Sequence, residues 1–378
     1  MAEARGWLTT LNNSLPTGVD AGLLMNWRLA GGYSYMQLRA DIGAALDAWN
    51  RDFVSAWGDL IYITDMDYLE YPNGGAVADW TEESELDRPE GYKGDIAGHS
   101  LPLKWFSRAI GGSERFFDEA RPVTIESSVQ GVVTSYKNTV EKAILRRLMT
   151  NSETQIAGNA YDVGMASASA TVPFTPVEVE GEAFLSSHNH YNGYDDNTAD
   201  FDDMLDDLAD HVLEHGRTGT GIYLVSETDV PTITAFATKF VKPTPSNVMV
   251  VAGNASAPVY VTNAPIQSRP LTGGRFFGYW DTGRGVYELR ASKRIPTGYA
   301  SFFLSQGNNV RMNPIYLRYH PRRGFGAWIA EVPNFDTTFP IKEIDIKMVW
   351  GVGAGEDRVA AATGRLVAGG AWTNPTIS

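Results

Sequence analysis

The chain has 378 residues, 43% of them hydrophobic and 20% charged, which is enough apolar content to bury a core and too much for wholesale disorder. Its formal net charge is 31 − 45 = −14; so acidic a chain repels phosphate, which argues against tight nucleic-acid binding through counterion release. Cysteine is absent, which removes disulfides, thiolate zinc sites and cysteine nucleophiles.

Residues 1–20 are polar and turn-rich, with Asn12-Asn13-Ser14 and Pro16-Thr17-Gly18, and read as an arm without a core. No apolar signal core follows a basic start, and no window approaches 18 continuous apolar residues. A soluble protein made inside the cell is therefore expected, with no membrane partner. From Ala21 to about Trp57, Leu38, Ile42, Leu46, Trp49 and Phe53 recur at steps of three or four, the spacing of helices; Gly31-Gly32 predicts a break between two of them. Residues 60–121 carry strand-like Leu60-Ile-Tyr-Ile63, the turn Pro72-Asn-Gly-Gly75, an acidic run from Asp79 to Glu85 and a second extended stretch from Tyr92 to Phe106. With few positions for a core, they predict a long hairpin leaving the body of the protein.

Pro122 opens the clearest element. Ile125, Val129, Val132, Val133, Tyr136, Val140, Ile144 and Leu148 form one stripe, proline suits a helix start, and Asn151 can end it. About 28 residues make a helix of roughly 42 Å, a beam that needs a sheet or another helix along its apolar stripe. After a Gly-, Ser- and Ala-rich stretch at 152–199, a second amphipathic helix runs from Asp200 as N-cap to Gly216 just past its end, with Phe201, Leu205, Leu208 and Val212 on one face. Gly221–Val225 reads as a short buried strand. Between 248 and 350 strands dominate, at 248–251, 259–261, 276–280, 286–290, 300–304, 315–319, 327–331 and 344–350, with prolines between them where they do not cost ladder bonds. A last stretch, 358–367, can pair back. The class is α+β.

Chemistry-bearing patterns are sparse. His211-Val-Leu-Glu214-His215 matches the inverted zinc-hydrolase motif H-x-x-E-H, in which two imidazoles one helical turn apart share a metal and the glutamate activates a water. Only three positions are fixed, and histidines also suit the negative end of a helix. His188-Asn-His190 could add ligands but sits in a polar turn with no spacing that demands a metal, and Asp195–Asp200 fails as a calcium loop because Ala199 and Asp200 break the ligand and glycine positions. No metal and no cofactor is therefore expected, with His211, Glu214 and His215 kept as the metal candidates. No phosphate-binding glycine loop, dinucleotide fingerprint or nucleophile elbow is present, so no enzymatic activity is expected. Residues 195–216 hold eight Asp and one Glu without a Lys or Arg, whereas 269–323 hold ten basic residues against Asp281 and Glu288, for +8. The two segments are expected to face each other, across subunits or within one domain, and Asp203, Asp206, Asp207, Lys93, Arg318, Arg322 and Arg323 are the candidates for subunit contact.

The order of elements resembles the major capsid protein of tailed bacteriophages, the Hong Kong 97-type fold shared with encapsulins and the herpesvirus capsid floor. Phe184-Leu-Ser-Ser-His188 before an acidic helix, Gly221-Ile-Tyr-Leu-Val-Ser226, Lys293-Arg-Ile-Pro-Thr-Gly-Tyr299, and Val349-Trp-Gly-Val-Gly-Ala354 leading into Arg358-Val-Ala-Ala361 look like phrases of that family. The resemblance covers nearly the whole chain. It implies an N-arm with helices at 1–57, an extended E-loop at 58–120, a peripheral domain with its spine helix at 121–199 and 326–378, and an axial domain at 200–325. It further implies self-assembly into hexameric and pentameric capsomers of an icosahedral virion shell, made in the host cytoplasm around a DNA genome that is enclosed but not tightly bound. A portal protein and a decoration protein are partners the family suggests. About 57 residues precede the E-loop, leaving no room for a fused scaffolding segment unless the chain is already mature, so a separate scaffolding protein is expected. Lys93 and Lys104 lie where some members carry a cross-linking lysine, but no partner asparagine or assisting glutamate can be matched. An encapsulin-type compartment is the nearest alternative, and a zinc hydrolase the alternative from another class.

Overall fold

The computed structural model describes residues 35–74, 95–113, 119, 122–156, 159–167, 174–179, 184, 188–242, 248–251, 259–262, 274–329 and 341–377. In chain order the elements are α1 (Tyr35–Trp57), β1 (Ile61–Thr64), β2 (Tyr68–Asn73), β3 (Asp95–Ser100), β4 (Lys104–Ser113), α2 (Pro122–Met149), β5 (Thr154–Ile156), β6 (Asn159–Tyr161) and β7 (Tyr191–Tyr194). There follow α3 (Phe201–Leu213), β8 (Thr220–Ser226), α4 (Val230–Thr234), β9 (Phe240–Val241), β10 (Val248–Val251), β11 (Val259–Thr262), β12 (Arg275–Asp281) and β13 (Val286–Ser292). The last are β14 (Tyr299–Ser305), β15 (Ile315–Tyr319), β16 (Ala327–Ile329), β17 (Ile341–Ala354) and β18 (Ala361–Leu366). The protein is thus mixed α+β, with several sheets and few helices. Among the described residues no helix is long and apolar enough to cross a membrane.

The chain divides into two compact units. The first comprises Met1–Asn50, Trp105–Asn138 and Phe325–Val349. Its helical residues meet through Trp49 and Tyr136, whose ring centroids lie 4.2 Å apart, and Ile42 and Leu46 are buried, as their spacing requires. β16 pairs antiparallel with β17 through Ala327↔Met348 to Ile329↔Ile346. The expected break at Gly31-Gly32 and the arm before it lie outside the described residues.

The second unit comprises Arg51–Lys104, Thr139–Gly324 and Trp350–Ser378. Its centre is a seven-stranded sheet in the order β7-β18-β14-β8-β13-β12-β9, with β8 parallel to β13 and antiparallel to β14. α3 lies on this sheet because its apolar stripe demands it. Phe201, Met204, Leu205, Leu208, Ala209 and Val212 are all buried and share one core with Tyr223, Val225, Trp280, Leu289, Phe302 and Leu304. The helix starts where the sequence says. Asp200 Oδ1 accepts from the Asp202 and Asp203 N–H groups at 2.8 and 3.3 Å, and Asp203 returns the bond by accepting from Asp200 N–H at 3.1 Å, a capping box that pairs three orphan donors. It ends at Leu213, and the turn that follows closes at Gly216, whose φ of +63° suits glycine and whose missing Cβ leaves room for Val179.

The hairpin departs from its expectation. β2 and β3 pair antiparallel from Tyr68↔Ser100 to Asn73↔Asp95, so a hairpin exists, but its base is core. Leu69, Tyr71, His99 and Leu101 are buried, and the strands belong to a four-stranded sheet, β2-β3-β6-β5. The alternation from Leu69 to Tyr71 buries one face of β2, and the segment looked coreless because its burying partners, Phe174 and Tyr316, come from far along the chain. Residues 75–94, with the acidic run and Lys93, lie outside the described residues.

Candidate functional site

Four of the six histidines in the sequence meet in one place. His190 immediately precedes β7, and the parallel pairing of β7 with β18 fixes it. Its N–H donates to Ala166 O and its carbonyl accepts from Thr363 N–H, both at 2.8 Å, while its Nδ1 lies 2.8 Å from Ala361 O. His211 sits on the last turn of α3 with Nε2 2.7 Å from Asn189 O. His215 follows in the turn before Gly216, and its Nε2 is 3.1 Å from His190 Nε2. His188 completes the set, stacked on His211 with ring centroids 4.3 Å apart. The Phe184 ring packs against His215 and His188, at 4.8 and 5.4 Å between centroids. At the more open edge stands Glu214, with Oε1 at 2.8 Å from His188 Nε2, 3.6 Å from His211 Nδ1 and 3.9 Å from His215 Nε2.

Burial sets the electrostatics. His190 is fully buried and His215 nearly so. Desolvation is the main reason that all four imidazoles have pKa values below the ordinary range, and neighbouring imidazoles add to it for His190, His211 and His215. His215 is pushed down to about 3 and His190 well below its ordinary value. At neutral pH the cluster therefore consists of uncharged imidazoles, the form that binds metals.

The zinc-hydrolase arrangement is not what the H-x-x-E-H motif forms. α3 ends at Leu213, which leaves Glu214 and His215 in a turn. The groups whose donor atoms converge within 4.8 Å are His188, His190 and His211, and His188, Glu214 and His215. Glu214 is thus among the donors rather than standing off to activate a water. The other half of the site is the loop His188-Asn-His190, which could add ligands by its sequence but has no spacing that demands a metal. An H-x-H pair upstream of H-x-x-E-H is the signal that could have found it.

The acidic segment turns out to be engaged within the chain. Asp203 belongs to the capping box; Asp206 accepts from Trp280 Nε1–H at 2.8 Å and pairs with Lys239; Asp207 accepts the Tyr194 hydroxyl. Of the basic segment, Arg284 alone among the described residues forms an ion pair with it, to Asp210 at 3.0 Å. The others turn elsewhere: Arg290 to Asp59 and Glu288, Arg294 to Glu141, Arg311 to Glu356, and Arg318 to the Leu101 carbonyl at 2.9 Å. Arg322 and Arg323 are exposed on the turn after β15.

A buried ionic centre was not foreseen. Arg358 is 0% exposed; its Nη2 lies 3.1 Å from Glu153 Oε1, its Nε donates to Gly164 O at 3.0 Å, and its Nη1 lies 3.4 Å from the Tyr71 hydroxyl. Tyr71 in turn bonds His99 Nδ1 at 3.1 Å, and His99 Nε2 bonds Ala354 O at 3.1 Å. This chain of bonds fixes the base of the β2–β3 hairpin.

No family model matches the sequence, and no curated relative matches it. Solved structures do. A structure from Mycobacterium phage Patience superposes with a TM-score of 0.62 at 20% identity over 92% of each chain, so the two share a fold. The capsid of a native GTA particle aligns with a TM-score of 0.45 at 11% identity, over 83% of this chain and 91% of that one. The holo-SrpI encapsulin complex of Synechococcus elongatus aligns at 0.40 and 10%, over 80% and 84%.

Proposed function

We propose that this chain is the major capsid protein of a tailed phage, a structural subunit that assembles into the icosahedral shell around the genome. The observation that carries this reading is the fold shared with the Mycobacterium phage Patience structure along 92% of both chains, which joins the family phrases read in the sequence. In this reading the fold is of the Hong Kong 97 type. Residues 58–120, with the β2–β3 hairpin among them, are the E-loop, α2 is the spine helix of a peripheral domain made of 121–199 and 326–378, and 200–325, with α3, are the axial domain.

The physical chemistry is that of a wall rather than a catalyst. A 28-residue helix and a sheet covered by α3 make stiff elements, and a net charge of −14 keeps packaged DNA from adhering. Arg322 and Arg323, exposed on the turn after β15, are among the cations placed to meet acidic neighbours, while the acidic residues Asp203, Asp206 and Asp207 serve the subunit's own fold first. A scaffolding protein, a portal and a decoration protein belong to the same reading as partners.

Sizing of the purified full chain, alone and with its scaffolding protein supplied, tests the proposal. Megadalton shells or capsomer rings are expected. A monomer at every concentration refutes it, and a shell that retains a host enzyme as cargo moves the assignment to an encapsulin.

A further inference from the structure

We propose that His188, His190, His211 and Glu214 bind one divalent transition-metal ion, zinc being the best fit, which ties the loop before β7 to the C-terminal end of α3. The tautomers make the case. His190 Nδ1–H donates to Ala361 O and His211 Nε2–H donates to Asn189 O, so the lone pairs of His190 Nε2 and His211 Nδ1 are the ones turned toward the other histidines. Backbone carbonyls that hold the far N–H of an imidazole are the outer support ligating histidines have.

His190 Nε2 is met by His215 Nε2–H at 3.1 Å; around Glu214 lone pairs meet with no hydrogen between them. His211 Nδ1 faces Glu214 Oε1 at 3.6 Å, and both atoms are acceptors. His188 Nε2 lies 2.8 Å from the same carboxylate oxygen without hydrogen-bonding geometry, and the buried His215 Nδ1 has no hydrogen-bond partner. Such a convergence of acceptors requires a cation at its centre. A divalent ion serves well. The surrounding segment 195–216 carries −9, a field that concentrates cations.

Geometry and ligand type select the ion. His188, His190 and His211 offer donor atoms within 4.8 Å of one another, and Glu214 Oε1 lies 2.8 Å from His188 Nε2 and 3.6 Å from His211 Nδ1. An ion at about 2.0–2.1 Å from each donor sets tetrahedral neighbours about 3.3–3.4 Å apart, a spacing that small ring rotations reach. Imidazole nitrogen with a single carboxylate suits zinc, cobalt, nickel or copper, and not calcium or magnesium, which take oxygen ligands. The role is structural. The ion clamps a loop that leads into the edge strand of the seven-stranded sheet, and no water-activating base stands beside it.

The test uses untagged full-length protein, assembled or not, stripped with chelator and titrated with zinc or cobalt alone. One equivalent per chain is expected, with cobalt giving the visible d–d bands of a nitrogen-rich site and calcium failing to compete. His188→Ala and His211→Ala each weaken zinc binding at least about tenfold, while His320→Ala, outside the cluster, leaves it unchanged. Zinc also raises the unfolding temperature of the parent and not of the two variants. Absence of stoichiometric binding by the parent protein overturns the proposal, as does undiminished binding in both cluster variants. The cobalt spectrum of the parent chain alone decides the matter if a variant does not fold.

Discussion

Replacing Arg358 with methionine tests whether the hairpin base is held by a buried ion pair or merely by apolar packing. The guanidinium has no exposure, and Glu153 is 4% exposed in its side chain. Methionine fills much of the volume but removes the charge facing Glu153 and the donor to Gly164 O, and it ends the contact with the Tyr71 hydroxyl. Breaking one side of a buried pair costs about 3–5 kcal/mol, because the remaining charge stays desolvated. Against a stability of about 5–15 kcal/mol for a folded domain, that is a large share. Urea unfolding of dissociated subunits measures it: with a slope near about 3 kcal/mol/M, the midpoint falls by about 1–1.7 M. Adding Glu153→Gln to Arg358→Met removes the stranded charge, so the double variant is expected to be more stable than the sum of the single losses by at least about 1 kcal/mol. A loss under about 1 kcal/mol for Arg358→Met, or strict additivity in the cycle, refutes the reasoning.

Two further predictions concern the same region. Burial, with Arg358 and Arg147 nearby, pushes His99 down to about 3, below its unfolded value of about 6.5. The unfolded chain therefore takes up a proton that the folded one refuses, and stability is lost as pH falls from about 6.5 toward 3, by about 1.4 kcal/mol per pH unit from this group; His99→Asn should flatten that acid limb of the unfolding profile, and an unchanged slope counts against the assignment. Replacing residues 75–94 with one glycine leaves a two-residue turn on the Asn73↔Asp95 pair. The capsid reading expects a folded subunit by circular dichroism that closes no shells by electron microscopy, and an unfolded subunit would show that those residues belong to the core.

Local signals made part of the fold legible. The start of α3 could be read to the residue because Asp200 and Asp203 act within its first turn, its end only nearly so because Gly216 lies two residues past the Glu214 cap, and α2 because its buried Val132, Tyr136, Val140, Ile144 and Leu148 keep one period. The hairpin base could not be read this way. Its burial depends on Arg358, 287 positions from Tyr71, and a residue pattern carries no record of a partner that distant. The histidine cluster failed for the same reason at shorter range. His190 and His215 are 25 positions apart, and what brings them together is the pairing of β7 with β18, a choice made by the sheet and not by either motif.

Charge sums are harder to read for a different reason. The total of +8 over 269–323 is carried largely on strands, whose cations point to alternate faces, so a run of positive charge along the chain disperses in space. Arg290 shows it: on β13 it is 1% exposed and bound to Asp59 and Glu288, while Arg284, in the turn before the same strand, reaches Asp210 on α3. A helix treats charge differently. Its 3.6-residue period gathers Asp202, Asp203, Asp206 and Asp210 on the side away from the core, so the acidic total does become a surface, and the fold draws on it for a cap, for Trp280 and for Lys239. The same negative total reaches the histidine cluster at the end of α3, where Asp207 favours positive charge on His211. An acidic helix that ends in neutral imidazoles concentrates cations where lone pairs face one another, and so the charge excess counts for more at the proposed metal site than in any match to the basic segment.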